Sequence, residues 1–126
     1  MKHFCMALVL FVSLQAGAQQ VANRIQLPNG WSLSPVGNSL PLGDLPLNIA
    51  VSSSKKLIAV TNNGQSTQSI QLIDAVHHTI LDNIEIPKSW LGLQFSSDDK
   101  YLYASGGNDN RIMQYAIVHN KLQAKD

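Results

Sequence analysis

From Leu47 onward the apolar residues come in short runs, each closed by Gly, Pro, Asn, Asp or Ser. The runs Leu47–Ser52 (LNIAVS), Leu57–Asn62 (LIAVTN), Ser69–Asp74 (SIQLID) and Thr79–Ile86 (TILDNIEI) are strand-length, rich in Ile, Val and Leu, and bounded by turn residues. A second set follows at Gly92–Ser96 (GLQFS), Tyr101–Ser105 (YLYAS) and Arg111–Ile117 (RIMQYAI), with a further strand starting near Lys121. Several runs alternate: Ile49 and Val51 share one face, as do Ile70 and Leu72. Past residue 18 no stretch keeps helical spacing, so the pattern predicts an all-β chain.

The two sets repeat one another. Ala50–Gly64 (AVSSSKKLIAVTNNG) aligns with Gln94–Asn108 (QFSSDDKYLYASGGN) at an offset of 44 residues, placing Ser52 on Ser96, Lys56 on Lys100, Ile58 on Leu102 and Thr61 on Ser105. With a loop two residues shorter in the second unit, Ile70 falls on Ile112 and Ile73 on Tyr115. A period in the low forties with four strands per unit is the mark of β-propeller blades. A four-stranded twisted sheet has two apolar faces and cannot bury them alone; stacking around an axis buries each on its neighbour. The expected fold is therefore antiparallel four-stranded blades of a propeller that does not close: a first blade over residues 45–88 and an incomplete second blade over residues 89–126, preceded by a lead-in at 19–44. Ile49, Val51, Leu57, Ala59, Ile70, Leu72, Leu93 and Phe95 are expected to make most of the buried apolar contacts.

The segment Ile58–Asp74 (IAVTNNGQSTQSIQLID) resembles the YVTN-type (YncE-like) propeller repeat, in which a strand ending in a V-T-N triplet is followed by a short polar loop and an S-V-x-V-I-D strand. Val60-Thr61-Asn62 and Ser69–Asp74 are the matching positions. The turns Ser52–Lys56 and Ser96–Lys100 resemble the S-P-D-G-K turn of such blades, with Ser and Asp in place of Pro and Gly. The second unit departs further, carrying Ala104-Ser105-Gly106 for the triplet and Ala116 at the place of Asp74. Leu27–Leu47 resembles the lead-in to a first blade of that family. The resemblance implies about seven blades in a full propeller, so this chain is expected to be part of a larger assembly, completed by remaining blades or by copies of itself. It also implies that longer relatives can carry a phosphoesterase domain of the alkaline-phosphatase type. The alternative function is the propeller portion of a hydrolase, a fused phosphoesterase or a lactonase-like propeller, whose catalytic residues lie beyond Asp126.

Ahead of the repeats, Lys2 and His3 precede an apolar run, Phe4–Leu14, and then Ala16-Gly17-Ala18, the three-part layout of a secretory signal peptide over residues 1–18. The run is too short to span a bilayer, which takes about 20 residues. The expectation is an exported protein, periplasmic or extracellular, with no membrane span once the signal is removed. Cys5, the only cysteine, lies inside that signal, so the rest has no disulfide, thiol nucleophile or thiolate metal site. Without Lys2 there remain eight basic and eight acidic residues, a balance that argues against a nucleic-acid partner.

The candidate chemical groups are sparse. His77 and His78 are neighbours in an expected hairpin and point to opposite sides, an arrangement that does not share a metal ion. His119 with Asn120, and Asp98 with Asp99, read as turn residues. Asn62-Asn63-Gly64 and Gly106-Gly107-Asn108 lack the Lys-Ser/Thr and helix of a phosphate loop and read as turns needing positive φ. No nucleophile–base set is spaced for catalysis, and no cofactor or metal is expected. The connections after the second and fourth strands of a blade emerge at the same end, and loops on a rigid scaffold favour binding. That end offers Asn62, Asn63, Gln65, Lys88, Trp90, Asn108, Asp109, Asn110 and Arg111 as candidate ligand-binding residues, suited to a polar or sugar-like ligand or a protein partner. The function expected is a binding or scaffolding module without catalysis.

Overall fold

The computed structural model describes residues 25–33 and 37–125; residues 1–18, expected to be a signal peptide, lie outside them. The chain divides into two units, Met1–Ser39 and Leu40–Asp126. In the first, β1 (Ile25–Gln26) pairs with β2 (Ser32–Leu33) around a turn closed by the Leu27 N–H on Trp31 O at 2.7 Å and by Gly30 at φ 82°.

The second unit is all-β. Its first sheet is a meander of β3 (Pro46–Val51), β4 (Leu57–Asn62), β5 (Ser69–Asp74) and β6 (Thr79–Glu85), each antiparallel to its sequence neighbour. The second repeats the order with β7 (Leu93–Phe95), β8 (Tyr101–Ser105), β9 (Ile112–Val118) and β10 (Lys121–Lys125). The fourth strand of the second sheet is thus present in abbreviated form, five residues against seven in β6. The sheets are blade-like and do not close into a barrel or ring. Among the described residues no helix is long and apolar enough to cross a membrane.

The repeat holds at the level of individual hydrogen bonds. Ile58 faces Ile73 and Thr61 faces Ile70 in the first sheet; Leu102 faces Tyr115 and Ser105 faces Ile112 in the second. The hairpin Ser52–Leu57 closes through the Lys55 N–H on Ser52 O (2.9 Å) and the Leu57 N–H on Ser52 Oγ (3.0 Å). Its counterpart closes through the Asp99 N–H on Ser96 O (3.1 Å) and the Tyr101 N–H on Ser96 Oγ (3.0 Å). Ser at both turn starts supplies this second acceptor, as hydroxyls do in turns.

The core lies between the sheets. Ala59, Ile70 and Leu72 from the first meet Leu93, Phe95, Leu102, Ala104, Tyr115 and Leu122 from the second, with Ile86 from the connection between them. A fully buried Leu or Ile contributes about 1.5–3 kcal/mol of hydrophobic stabilisation. Strand β3 lies against β7 across the interface, and β6 lies against β10. A groove of about 530 Å³ lies at β6, β9 and β10, with Ile84, Arg111 and Tyr115 in its lining.

Two expected core residues are elsewhere. Ile49 and Val51 are 62% and 54% exposed. On β3 it is Ala50 that sits opposite Ala59 and Leu72 and packs toward the second sheet. Alternation shows that Ile49 and Val51 share a face, and that face is the one turned away from the second sheet. Leu57 is partly buried against the core, and the other five expected residues are buried within it.

Polar ties reinforce the contact. The Asp99 carboxylate accepts the N–H groups of Ser53 (2.7 Å) and Ser54 (2.9 Å). Asp82 accepts Lys121 Nζ (3.2 Å) and the Leu122 N–H (2.8 Å), and Asn48 Nδ2 donates to Leu91 O. Asp99 and Asp82 therefore anchor opposite parts of one interface with charge-assisted bonds.

Candidate functional site

The segment Leu40–Leu45 belongs to the same unit as the sheets and fixes the end at which the candidate loops emerge. Asn63 and Gly64 donate their N–H groups to Leu45 O and Asp44 O, both at 3.1 Å, and Asp44 Oδ2 accepts the Ser66 N–H. The Gly43 N–H reaches Gln71 Oε1 at 3.1 Å. Gly64 does not take the positive φ expected of it; a side chain there would collide with Asp44, so close approach explains this glycine. Gly107, which opens the 3₁₀ turn Gly107–Asp109, and Asn110, which follows it, do adopt positive φ, 58° and 51°.

Asn62, the first candidate, is fully buried. Its Nδ2 donates to Ser69 Oγ and Gln71 Oε1, both at 3.1 Å, and Gly43 packs directly on its amide. It is a structural residue of the sheet end rather than part of a ligand surface. The position ends β4 on the face turned away from the second sheet, where Gly43 covers its side chain, while the loop begins at Asn63.

The remaining candidates come together in two groups. Lys88 Nζ donates to Asp109 Oδ1 at 2.8 Å and Arg111 lies 3.6 Å from Asp109 Oδ2, so one carboxylate joins the inter-sheet connection to the β8–β9 loop. The Lys88 hydrogen bond, followed by the charges of Lys88 and Arg111, holds the Asp109 carboxyl below the usual carboxylate range. Trp90 runs alongside the 3₁₀ turn, its Cβ close to Gly107, and the residue is 56% exposed rather than packed under the rim. Asn108, Asn110 and Arg111 are exposed in and just after that turn. Asn63 and Gln65 lie on the neighbouring β4–β5 loop.

Ser89, which the sequence reading passed over, links the two groups. It is buried, its N–H donates to Gln68 Oε1 at 2.7 Å and its Oγ to Asn62 O at 3.4 Å. A serine inside Pro-Lys-Ser-Trp looks like any polar connection residue, so no local pattern signals it. Gln71 left a signal: it is a polar residue on a strand between Ile70 and Leu72, and a buried amide needs partners.

His77, His78, His119 and Asn120 lie in the hairpin turns expected of them, the last three at positive φ. His77 Nδ1 is 2.8 Å from Asp74 Oδ2, a contact internal to its turn. Among the described residues no group of three His, Cys, Asp or Glu is placed to hold a metal ion. The loop end thus presents an aromatic surface, several amides and a guanidinium, which together suit hydrogen bonding and stacking. The chain matches no protein-family profile and no curated protein.

Proposed function

We propose that this protein is an exported, propeller-type binding module whose ligand surface is the loop end carrying Trp90, Asn108, Asn110 and Arg111, with Asn63 and Gln65 at its margin. The observation that carries this reading is the exposed Trp90, whose Cβ lies beside a turn held in place from two sides. Lys88–Asp109 fixes the turn, and Ser89 fixes the segment that bears the tryptophan. An exposed aromatic at the same loop end as several amides offers a stacking face and paired donors and acceptors, the equipment that recognises a sugar ring. The signal-like start of the sequence supports export, and the likeness of Ile58–Asp74 to YVTN-type repeats supports the propeller context.

The test is a titration of the full chain with neutral oligosaccharides, followed through the indole N–H resonances. Trp31 and Trp90 are the only two tryptophans, so Trp90→Phe assigns the signals. Saturable movement of the Trp90 signal, weakened in Asn110→Ala and lost in Trp90→Ala, is the expected result. An unmoved Trp90 signal throughout the series overturns the ligand assignment.

A further inference from the structure

The start of β9 turns a cation, a thioether and a phenol to one side. Arg111 stands just ahead of the strand and still pairs with β8 through the Gly106 N–H on Arg111 O at 2.9 Å. Met113 and Tyr115 follow at alternate positions, so the three share the face turned toward the first sheet, where Met113 and Tyr115 pack on the core. Ile112, between Arg111 and Met113, points the other way and is 76% exposed. Together with Ile84 and Pro87 of the first sheet's side they line the groove of about 530 Å³, and the buried Tyr115 and Leu122 form its floor. Pockets that hold small molecules span about 300–1,000 Å³.

Charge selects the ligand. Arg111 Nη2 stands 3.6 Å from Asp109 Oδ2, beyond ordinary hydrogen-bond length, and the other oxygen of that carboxylate is taken by Lys88 Nζ at 2.8 Å. The guanidinium therefore keeps donors to offer, in a fork that fits the two oxygens of a carboxylate. The lining adds Lys125 on the same sheet and Glu85 on the other, so its cations outnumber its acids. Deeper in, the surface is apolar. The Tyr115 hydroxyl donates to Met113 Sδ at 3.4 Å, a weak acceptor. Burial holds the Tyr115 phenol above its ordinary range, while the charge of Arg111 acts in the opposite direction.

We propose that this groove binds a small monocarboxylate with an aromatic body, the carboxylate on the Arg111 guanidinium at the mouth and the body on Ile84, Pro87 and Met113. The Met113 thioether favours an aromatic ring in that place. Glu85, across the groove, repels a second negative charge and so sets monocarboxylates above dicarboxylates. The site shares Arg111 with the Trp90 loop end, but its floor lies between the sheets and it does not rest on the oligosaccharide reading.

Titration of the full chain with 3-phenylpropionate, followed through the Met113 methyl resonance, tests this. The sequence has three methionines, and Met113→Leu assigns the signal. A saturable shift is expected. 3-Phenylpropionamide, benzylmalonate and acetate should each bind about tenfold more weakly or worse, since each lacks one of the required features. Arg111→Gln should lose about tenfold in affinity for the acid and nothing for the amide, a difference that a merely structural role would not produce. Ala124→Phe, at the exposed edge of the groove, should abolish the shift while far-ultraviolet circular dichroism retains the β signal. An unmoved Met113 signal, equal affinity for acid and amide, or parent affinity in Arg111→Gln overturns the proposal. So does a shift driven by protein concentration alone, which would mark the groove as a contact between copies. Probe and resonance both differ from those of the oligosaccharide titration, so either proposal can fail alone.

Discussion

The carboxylate of Asp99 accepts the backbone N–H of Ser54 at 2.9 Å, joining the first hairpin of one sheet to the first hairpin of the other. A hydrogen bond from the Ser54 side chain, then the N–H groups of Ser54 and Ser53, hold the Asp99 carboxyl below its ordinary range. Removal leaves two turn N–H groups to solvent. Asp99→Ala is expected to lower the urea midpoint with an unchanged m-value, and Asp99→Asn to recover part of the loss, because its amide oxygen can still accept one bond. An m-value that changes as well would mean that the two sheets come apart before they unfold.

Gly64 is expected to resist substitution for a reason unrelated to backbone torsion. A methyl group there meets the Asp44 side chain, which is pinned by the Ser66 N–H at 3.1 Å. Gly64→Ala should cost about 1–3 kcal/mol, the usual range for overpacking. The cost should shrink in an Asp44→Ala background, and a double-mutant cycle by chemical denaturation measures the difference.

Thr61 Oγ1 is buried without a hydrogen-bond partner among the described residues, and Thr61 is fully enclosed. An unsatisfied buried hydroxyl costs on the order of 1 kcal/mol or more. Thr61→Val keeps the shape and removes the polar atom, so it should raise the melting temperature. A lower melting temperature would show that the hydroxyl is satisfied in solution.

Asp74 gives the clearest pH signature. Its carboxylate accepts His77 Nδ1 (2.8 Å) and the N–H groups of Val76 (2.8 Å) and His77 (2.9 Å), bonds that bring its pKa down to about 2, the His77 side chain acting most. A depressed folded-state pKa stabilises the fold above the unfolded value of 3.8 and loses that contribution as pH falls toward about 2. In His77→Ala the Asp74 titration, followed by carboxyl NMR, should move part of the way back up. The stability gap between that variant and the parent should narrow across the same interval.

The repeat made much of the fold legible. Ser52 and Ser96 mark the same turn, and the loop shortened by two residues places Ile73 and Tyr115 correctly in register. Strand pairing depends on turn spacing, which a sequence displays openly. Face assignment was less accessible, because the alternation of Ile49 and Val51 identifies a shared face without saying which neighbour covers it. Turn chemistry was partly misread at Gly64, where the controlling partner, Asp44, is twenty residues away. At the candidate site, Lys88, Asp109 and Arg111 converge as their shared end of the sheets implies. Asn62 is withdrawn into the sheet, and Ser89, the residue that locks the loops, matters only through partners distant in sequence.

The strand order also fixes how the chain can acquire its shape. Within each of the two four-stranded sheets every strand pairs only with its neighbours in sequence, so no ladder waits for residues far along the chain. Such local wiring lowers the entropy of loop closure and favours rapid folding compared with other all-β topologies. The first sheet has its full set of partners once Glu85 has emerged during synthesis, and it can offer Ala59, Ile70 and Leu72 as a template on which the second sheet condenses.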